Sequence, residues 1–397
     1  MTKNRLIYID NLRLLVIILV VITHLALTYS GQLDWGDWYY IEPAQMGIIQ
    51  TGFFGFYLAF TQGFFMGLLF LIAGFFIPDS YEKKGFGRFL KDRIIRLGIP
   101  AFAYMLIINP LLYIGMLHYR YPGLYIDGFL IIRDYFFGFY FLEGAGTLWF
   151  AYALLLFSAI YALYRKFTAP KAQASEKGFP ANIKIFALIL LISVCAFILR
   201  AAMPIRMQPA DPPVPVRTTI LNIKPGYLSQ YVILFIIGIK CRRYQWFDKL
   251  EFSRAKPWLV SLPFISFSTW VSLMLIGGAY YDFAPYYGGI TWQNAAFAIW
   301  ESYVSVSMSI SLIALSKEKF NAQNKLIKIM SDNSFSVYVC HTPIIIGLTL
   351  LFAHVSLPPV VKFFMLVPVG IAVCFLFTYL AVKYFTVKRI PFLRNIR

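Results

Sequence analysis

An apolar stretch near the start of the chain indicates the class of the protein. Residues 12–30 read LRLLVIILVVITHLALTYS, with one guanidinium, Arg13, and one imidazole, His24. At about 1.5 Å per residue, a helix of this length nearly spans the ~30 Å hydrocarbon core of a bilayer. The stretch therefore predicts a transmembrane helix. We expect it to be retained, because no small-residue cleavage site follows it.

The composition of the whole chain agrees with this prediction. Of 397 residues, 59% are hydrophobic, 19% are aromatic and only 14% are charged, and the mean hydropathy is +0.67. A soluble domain is about 45–50% apolar and about 25% charged. These values exclude a cytosolic enzyme, a secreted disulfide scaffold and a disordered regulator, and they predict an integral membrane protein.

The length of the apolar runs predicts about ten transmembrane helices. They cover residues 12–30, 50–77, 94–117, 146–165, 183–203, 227–241, 258–280, 292–316, 334–354 and 358–385. A further apolar piece, 128–142, is interrupted by Arg133 and Asp134 and is expected to be interfacial or re-entrant. We therefore expect an all-α polytopic protein in which residues 1–397 form a single integral-membrane domain without a soluble domain.

The distribution of charge predicts the orientation. The net charge is +18, from 36 Lys and Arg against 18 Asp and Glu. Most of the basic residues fall in the N-terminus, the C-terminus and alternate loops, which the positive-inside rule assigns to the cytoplasm. We expect both termini to be cytoplasmic, a multi-pass protein of the inner or plasma membrane in contact with anionic lipid, and no nucleic-acid partner.

The cysteines do not indicate a covalent or metal-bound fold. They lie within or at the ends of apolar runs, without metal-ligand spacing. They are Cys195, Cys241, Cys340 and Cys374. We expect neither disulfides nor a metal site.

Ionisable groups inside a bilayer are costly, so each one is a candidate functional residue. Arg13 and His24 are eleven residues apart, about three helical turns, so they share one helix face about 16 Å apart along the axis. Asp10 can pair with Arg13. The alternative is an arginine that reaches the membrane surface and a histidine whose bonds are satisfied by a neighbouring helix.

His341 is expected at a depth similar to that of His24. It lies nine residues after Asp332, at the cytoplasmic start of the ninth predicted span, which corresponds to about 14 Å along a helix. Two imidazoles at matching depth can line one polar cavity. The alternative is a histidine that packs between helices beside Tyr338.

Two further polar residues lie inside predicted spans. Glu301, in the eighth, is interpreted as a proton acceptor, a ligand for a substrate hydroxyl, or a protonated structural residue. Gln62, in the second, needs a hydrogen-bond partner there. Both are candidate substrate-binding residues.

Residues 83–96, KKGFGRFLKDRIIR, form the densest basic stretch. Arg93 and Arg96 are three residues apart and project from one helix face, and Arg88 lies earlier in the same stretch. Guanidinium groups bind phosphate through two parallel hydrogen bonds, which would suit a nucleotide or coenzyme A. The alternative is ordinary anchoring of a cytoplasmic loop.

Together these residues resemble the acyltransferase-3 family of membrane O-acyltransferases. The resemblance rests on five elements in family order. They are YIDNLRLLVIILVVITH (8–24), AGF (73–75), RIIRLGIP (93–100), GTLWF (146–150) and SDNSFSVYVCH (331–341). The second has Ala73 where the family has Ser. Within the family, the chain resembles the subgroup that contains glucan biosynthesis protein C.

The resemblance implies transfer of an acyl group, acetyl or succinyl, from cytosolic acyl-CoA to a hydroxyl of an extracytoplasmic carbohydrate or another envelope acceptor. Acyl-CoA is then a co-substrate, and no cofactor is bound permanently. His24 would be the general base, and Arg13 would hold the donor or its entrance.

The implied binding residues come from the remaining elements. Arg93 and Arg96, with Arg88, would bind the donor phosphates. His341 and Tyr338 would orient the acceptor or stabilise the oxyanion, and Trp149 would contribute to substrate binding.

Two other functions stay open from the residues alone. A transporter or lipid-linked-sugar flippase also uses about ten spans with polar groups at mid-depth, although the chain shows no inverted repeat. A non-catalytic scaffold of an envelope-assembly complex would tolerate substitution of either histidine.

Overall fold

The structure is a computed structural model, which describes residues 5–31, 38–123, 125–168, 178–205 and 223–387. Within these ranges the chain is helical and contains no β-strand. The expectation of an all-α fold is confirmed for this part of the chain.

The helices follow one another with short connections. The α-helices are α1 (Ile7–Tyr29), α2 (Ile48–Arg93), α3 (Ile99–Ala103), α4 (Asn109–Arg120), α5 (Gly128–Phe137), α6 (Trp149–Phe167), α7 (Asn182–Ala202), α8 (Pro225–Tyr244), α9 (Trp246–Lys249), α10 (Phe252–Leu275), α11 (Ala284–Tyr287), α12 (Trp292–Lys319), α13 (Lys325–Leu351) and α14 (Pro359–Val387). Two π-helical segments, Ile94–Gly98 and Tyr104–Ile108, join α2, α3 and α4, and two 3-10 turns, Tyr140–Glu143 and Gly146–Leu148, precede α6.

Eight helical stretches in the described ranges are long and apolar enough to cross a membrane. Two differences separate this number from the ten that the sequence predicts. The predicted spans 50–77 and 94–117 belong to one helical stretch of 73 residues, Ile48–Arg120, and α8 is not among the eight. The chain is a membrane protein. The count of ten and the cytoplasmic termini stay predictions, and residues 1–4 and 388–397 lie outside the described ranges.

A glycine interrupts the longest helix. Gly85 has φ 68° and ψ 172°, which is non-helical inside α2. Only glycine adopts this region without strain, because any other side chain would clash with the backbone. The break lies inside the basic stretch 83–96, after the apolar part of α2 has ended.

The chain divides into two compact units, each assembled from three segments. Unit 1 contains Met1–Leu12, Ala59–Phe89 and Ile160–Ala322, and unit 2 contains Arg13–Leu58, Leu90–Ala159 and Gln323–Arg397. The expectation of a single domain stays a prediction.

Unit 1 brings α2 and α8 into very close contact at two glycines. A Cβ atom on Gly74 would lie 2.1 Å from the carbonyl oxygen of Phe235, and one on Gly238 would lie 2.1 Å from that of Leu71. Residues without side chains allow two helix backbones to approach in this way. An ion pair between the carboxylate of Asp79 and the guanidinium group of Arg242, 2.8 Å apart, joins the same two helices.

Unit 2 packs parts of α1, α13 and α14 around buried aliphatic side chains such as Leu25, Ile345 and Leu366. The ammonium group of Lys362, on α14, donates to both carboxylate oxygens of Glu42 at 3.0 Å. Both side chains are buried, so the pair fixes the segment before α2 against α14.

Candidate functional site

Two imidazoles come together in unit 2. The rings of His24 on α1 and His341 on α13 have centroids 4.9 Å apart and are tilted by 48°. His341 is fully buried and His24 is half-buried. The structure therefore places the two residues that the sequence puts at similar depth in direct contact.

The backbone determines which ring nitrogen of each histidine carries the proton. Nδ1 of His24 lies 2.8 Å from the carbonyl oxygen of Val20, and Nδ1 of His341 lies 2.7 Å from that of Tyr338. A carbonyl oxygen only accepts, so both Nδ1 atoms donate, and Nε2 of each neutral ring keeps a free lone pair. Nε2 of His341 is buried and has no hydrogen-bond partner among the described residues.

An indole closes the other side of His24. The ring centroid of Trp38 lies 4.6 Å from that of His24, and its Nε1 donates to the hydroxyl of Thr28 at 2.8 Å. Thr28 lies one helical turn after His24 on α1. The indole is therefore held in place by the same helix whose imidazole it covers.

Residues 147–151 support α13 beside His341. The hydroxyl of Tyr338 donates to the carbonyl of Thr147 at 2.8 Å and accepts from the backbone N–H of Ala151 at 3.3 Å. The hydroxyls of Thr147 and Thr342 are 2.5 Å apart. The Tyr338 hydroxyl is thus engaged with the backbone, and Tyr338 acts as a support for its neighbour, stacking on His341 with centroids 6.1 Å apart.

Trp149 begins α6 inside the same supporting segment. It is half-buried, and its ring meets that of Phe150 edge to face at 6.4 Å. The Leu-Trp-Phe element of the sequence therefore lies next to the residues that hold Tyr338. Its role in substrate binding stays a prediction.

A chain of phenol and amide groups continues from this segment. Tyr39 donates to the side-chain oxygen of Asn109, and its hydroxyl lies 3.0 Å from that of Tyr104. The amide of Asn109 donates to the hydroxyl of Tyr135 at 3.0 Å, and that hydroxyl in turn donates to a backbone carbonyl. Burial raises the pKa values of Tyr39 and Tyr135, so both hydroxyls stay protonated donors at neutral pH.

Gly146 allows this chain to approach the supporting segment. Its φ is +48°, and a Cβ atom there would lie 2.8 Å from both a ring carbon of Tyr104 and the hydroxyl of Tyr39. A larger residue would be strained by its backbone and would displace both phenols.

Apart from Arg88, the arginines that the sequence predicts to bind the donor lie in another part of unit 2. Arg93 lies within electrostatic range of Arg13 and Arg96, and of the carboxylate of Asp92. Arg96 pairs with Asp92 at 3.0 Å across one turn. Arg93 and Arg96 are half-buried, and Arg13 is exposed. The three guanidinium groups offer the paired hydrogen-bond donors that suit a phosphate ligand.

A change in helix type coincides with these arginines. Arg93 immediately precedes the π-helical segment Ile94–Gly98, and Arg96 lies within it. Such segments are rare and occur often at functional sites. Arg88 lies earlier on α2, is exposed and belongs to unit 1.

The helix α1 connects the basic group to the imidazoles. It is continuous over Ile7–Tyr29, so Arg13 and His24 are about 16 Å apart along its axis, as the sequence predicts. Asp10 accepts a hydrogen bond from Arg5. The expected pairing of Asp10 with Arg13 stays a prediction.

Glu301 belongs to unit 1, where it has a partner that the sequence did not suggest. Its carboxylate accepts a hydrogen bond from Arg200, which is fully buried. The Arg200 guanidinium also donates to the carbonyl of Gly226 at 3.2 Å and lies 5.3 Å from the ring centre of Tyr227. This geometry favours a structural role for Glu301 as the carboxylate partner of Arg200, whereas the sequence suggested a protonated structural residue. The roles as proton acceptor and as hydroxyl ligand stay predictions.

Gln62 also lies in unit 1. Its amide donates to the hydroxyl of Tyr231 at 3.3 Å, which supplies the partner that a buried amide requires. Its role in substrate binding stays a prediction.

Sequence reasoning missed several residues around the histidines. They are Thr28, Trp38, Tyr39, Tyr104, Asn109, Tyr135, Thr147 and Thr342. One signal was available, because Asn109 is an amide inside an apolar run and needs a polar partner there. The others are single hydroxyl or aromatic residues without a distinctive pattern.

Comparison with known proteins gives one match. The family model described as an acyltransferase domain, that of the acyltransferase-3 family, matches residues 6–379. No curated protein and no solved structure matches the chain. The matched range includes every candidate residue above, and the subgroup of glucan biosynthesis protein C stays a prediction.

Proposed function

The chain belongs to the acyltransferase-3 family, and from this premise we propose that it is an O-acyltransferase of the inner or plasma membrane. It takes an acyl group, acetyl or succinyl, from cytosolic acyl-CoA. The acceptor is a hydroxyl of an extracytoplasmic carbohydrate or another envelope molecule. The observation that carries the proposal is the pair His24 and His341, whose Nε2 atoms both keep a free lone pair.

The donor binds at the basic group of unit 2. The phosphates of coenzyme A pair with Arg93 and Arg96, with Arg13 close to them, and the π-helical segment orients these side chains. The extended thioester arm follows α1 over the ~16 Å that separate Arg13 from His24.

The chemical step uses the free nitrogen of His24. Its Nε2 takes the proton of the acceptor hydroxyl as the oxygen attacks the thioester carbon. The carbon–sulfur bond then breaks, and the departing sulfur receives the proton that His24 holds. An ester and free coenzyme A result, and the imidazole returns to its neutral form.

His341 orients the acceptor. Since its Nδ1–H is bound to a backbone carbonyl, the neutral ring offers only a lone pair at Nε2, which suits a hydroxyl donor. The same tautomer cannot donate to an oxyanion. We therefore favour acceptor orientation over oxyanion stabilisation for His341, with Tyr338 as its support.

The test is thermal stability of the detergent-purified protein with acetyl-CoA, succinyl-CoA and free coenzyme A. We expect stabilisation of the wild type that is lost in Arg93→Ala/Arg96→Ala, because two of the three guanidinium groups are removed. The control is Arg254→Ala, which removes an exposed arginine from the first turn of α10.

Each result separates the alternatives. Stabilisation that survives Arg93→Ala/Arg96→Ala would make these residues simple anchors of a cytoplasmic loop. A wild type that no thioester or coenzyme A stabilises would contradict the donor site and favour a transporter or flippase, which needs no coenzyme A.

A further inference from the structure

Unit 1 contains a cavity that the proposed reaction does not use. Its volume is about 880 Å³, and it lies between α7, α8 and α12 beside the apolar part of α2. Most of the wall is aliphatic, from residues such as Leu71, Leu188, Leu234, Ile237 and Ile310. The volume falls in the range of about 300–1,000 Å³ that is typical of sites for small molecules.

The lining includes two cationic side chains besides the neutral Tyr244 and Ser309. Lys184, in the first turn of α7, and Lys240, near the end of α8, both line the cavity and are exposed. Neither ammonium group has an acidic partner among the described residues. Trp246 lines the same cavity. Its indole N–H is buried and has no hydrogen-bond partner in the described ranges.

These groups are hydrogen-bond donors, and none of them has an acceptor among the described residues. Two ammonium groups and one N–H can bind phosphate oxygens, while the aliphatic wall requires an apolar occupant. The charge distribution predicts that the start of α7, with Lys184, and the end of α8, with Lys240, lie on the same, cytoplasmic side. An occupant with an anionic head and a hydrocarbon tail fits both parts.

We propose that this cavity binds an anionic phospholipid of the cytoplasmic leaflet. One acyl chain fills the aliphatic part between α7, α8 and α12. The phosphate lies against Lys184 and Lys240 and accepts a hydrogen bond from the Trp246 indole. The lipid site is independent of the His24 and Arg93 groups, because all of its lining residues belong to unit 1.

Bromine on a lipid chain quenches the fluorescence of a nearby indole, so Trp246 can report occupancy. The purified protein is titrated with dibrominated phosphatidylglycerol or dibrominated phosphatidylcholine in mixed micelles. The signal attributed to Trp246 is the difference between wild type and Trp246→Phe. We expect the quenching to saturate with both lipids. The mole fraction that gives half of the full quenching should be about tenfold lower for phosphatidylglycerol than for phosphatidylcholine.

Two charge variants locate the headgroup. Lys184→Gln/Lys240→Gln is expected to lose about tenfold in apparent affinity for phosphatidylglycerol and to remove the preference over phosphatidylcholine. Lys256→Gln, which removes an exposed lysine of α10 that does not line the cavity, is expected to keep both. Size-exclusion profiles and thermal stability confirm that each variant is folded.

Three results would overturn the proposal. One is equal quenching of wild type and Trp246→Phe, which means that no lipid chain enters. Another is equal affinity of the wild type for the two lipids. The third is displacement of the brominated lipid by long-chain acyl-CoA, which would assign the cavity to the acyl chain of that donor.

Discussion

His24 and His341 show how a backbone contact prepares a side chain for chemistry. In each, Nδ1 donates to a carbonyl of its own helix, four or three residues earlier. This contact is local and does not by itself identify a functional residue. His118 on α4 makes the same contact with the carbonyl of Ile114 at 2.9 Å, and it is exposed. What distinguishes His24 is the second imidazole and the indole beside its ring.

A substitution that keeps the local contact tests the base directly. Asparagine can present its amide N–H where Nδ1 lies, but it has no group equivalent to Nε2. We expect His24→Asn to lower the rate of acyl transfer by about 10²–10⁴-fold, the usual contribution of a general base. The measurement is the initial rate of acyl transfer, with thermal stability recorded for the same samples.

His118→Asn is the matched control, since it makes the same change at an exposed histidine with the same i−4 contact. It should keep full activity. If His24→Asn is folded and transfers the acyl group at nearly the wild-type rate, His24 is not the base.

Among the elements, α2 owes its shape to one residue. Its helical character continues on both sides of Gly85, whose φ of 68° and ψ of 172° break the helix. A Cβ atom at Gly85 would meet nothing within 4 Å. The free-energy cost of a substitution at Gly85 therefore comes from the backbone conformation alone, and not from a clash of the new side chain.

Alanine substitutions at two neighbouring glycines isolate the cost of the backbone conformation. We expect Gly85→Ala to destabilise the protein by about 1–3 kcal/mol, the cost of a non-glycine residue in this region. Gly87→Ala, two residues later with equally open surroundings and no positive φ, should stabilise it by about 0.5–1 kcal/mol. Thermal unfolding in one detergent measures both.

The sign of the two changes is the decisive result. If Gly85→Ala is neutral or stabilising, the break is not imposed by the glycine conformation, and α2 can continue through this position as a regular helix.

In the molecule as a whole, each unit contains a buried ion pair that joins separate segments. Lys362 pairs with Glu42 in unit 2, and Arg200 pairs with Glu301 in unit 1. Removing one partner of such a pair leaves an uncompensated charge, whereas replacing both with apolar residues is often tolerated. This difference separates a structural carboxylate from a catalytic one.

Glu301→Gln is expected to destabilise the protein by about 3–5 kcal/mol, because the Arg200 charge stays buried without its partner. The rate of acyl transfer per folded molecule should change by less than about twofold. The double substitution Arg200→Met/Glu301→Leu should recover much of the lost stability. Thermal unfolding and initial rates measure the two effects.

Glu318→Gln controls for the loss of a charge on the same helix, since Glu318 is exposed on α12. A Glu301→Gln protein of wild-type stability with a rate at least about a hundredfold lower would contradict the structural role and make Glu301 part of the chemistry.

Much of this architecture follows from local patterns. Hydrophobic runs of bilayer length predict the helices because every backbone polar group inside a membrane must bond within its own segment. The same runs placed Arg13 and His24 on one face of α1, which is continuous in the structure. The spacing of Arg93 and Arg96 indicated the basic group, and the order of the short elements indicated the family that the match over residues 6–379 confirms.

Contacts between distant segments were not predictable in this way. No periodicity pairs Arg200 with Glu301, brings Trp38 to His24 or joins Thr147 to Thr342, because such pairs depend on how the helices pack. The number of crossings stays a prediction, because the predicted spans 50–77 and 94–117 lie in one helical stretch that Gly85 breaks. Composition and periodicity reflect the solvent around each segment. Tertiary packing decides the partner of a buried polar group, because a polar group without a partner costs free energy only once it is removed from water.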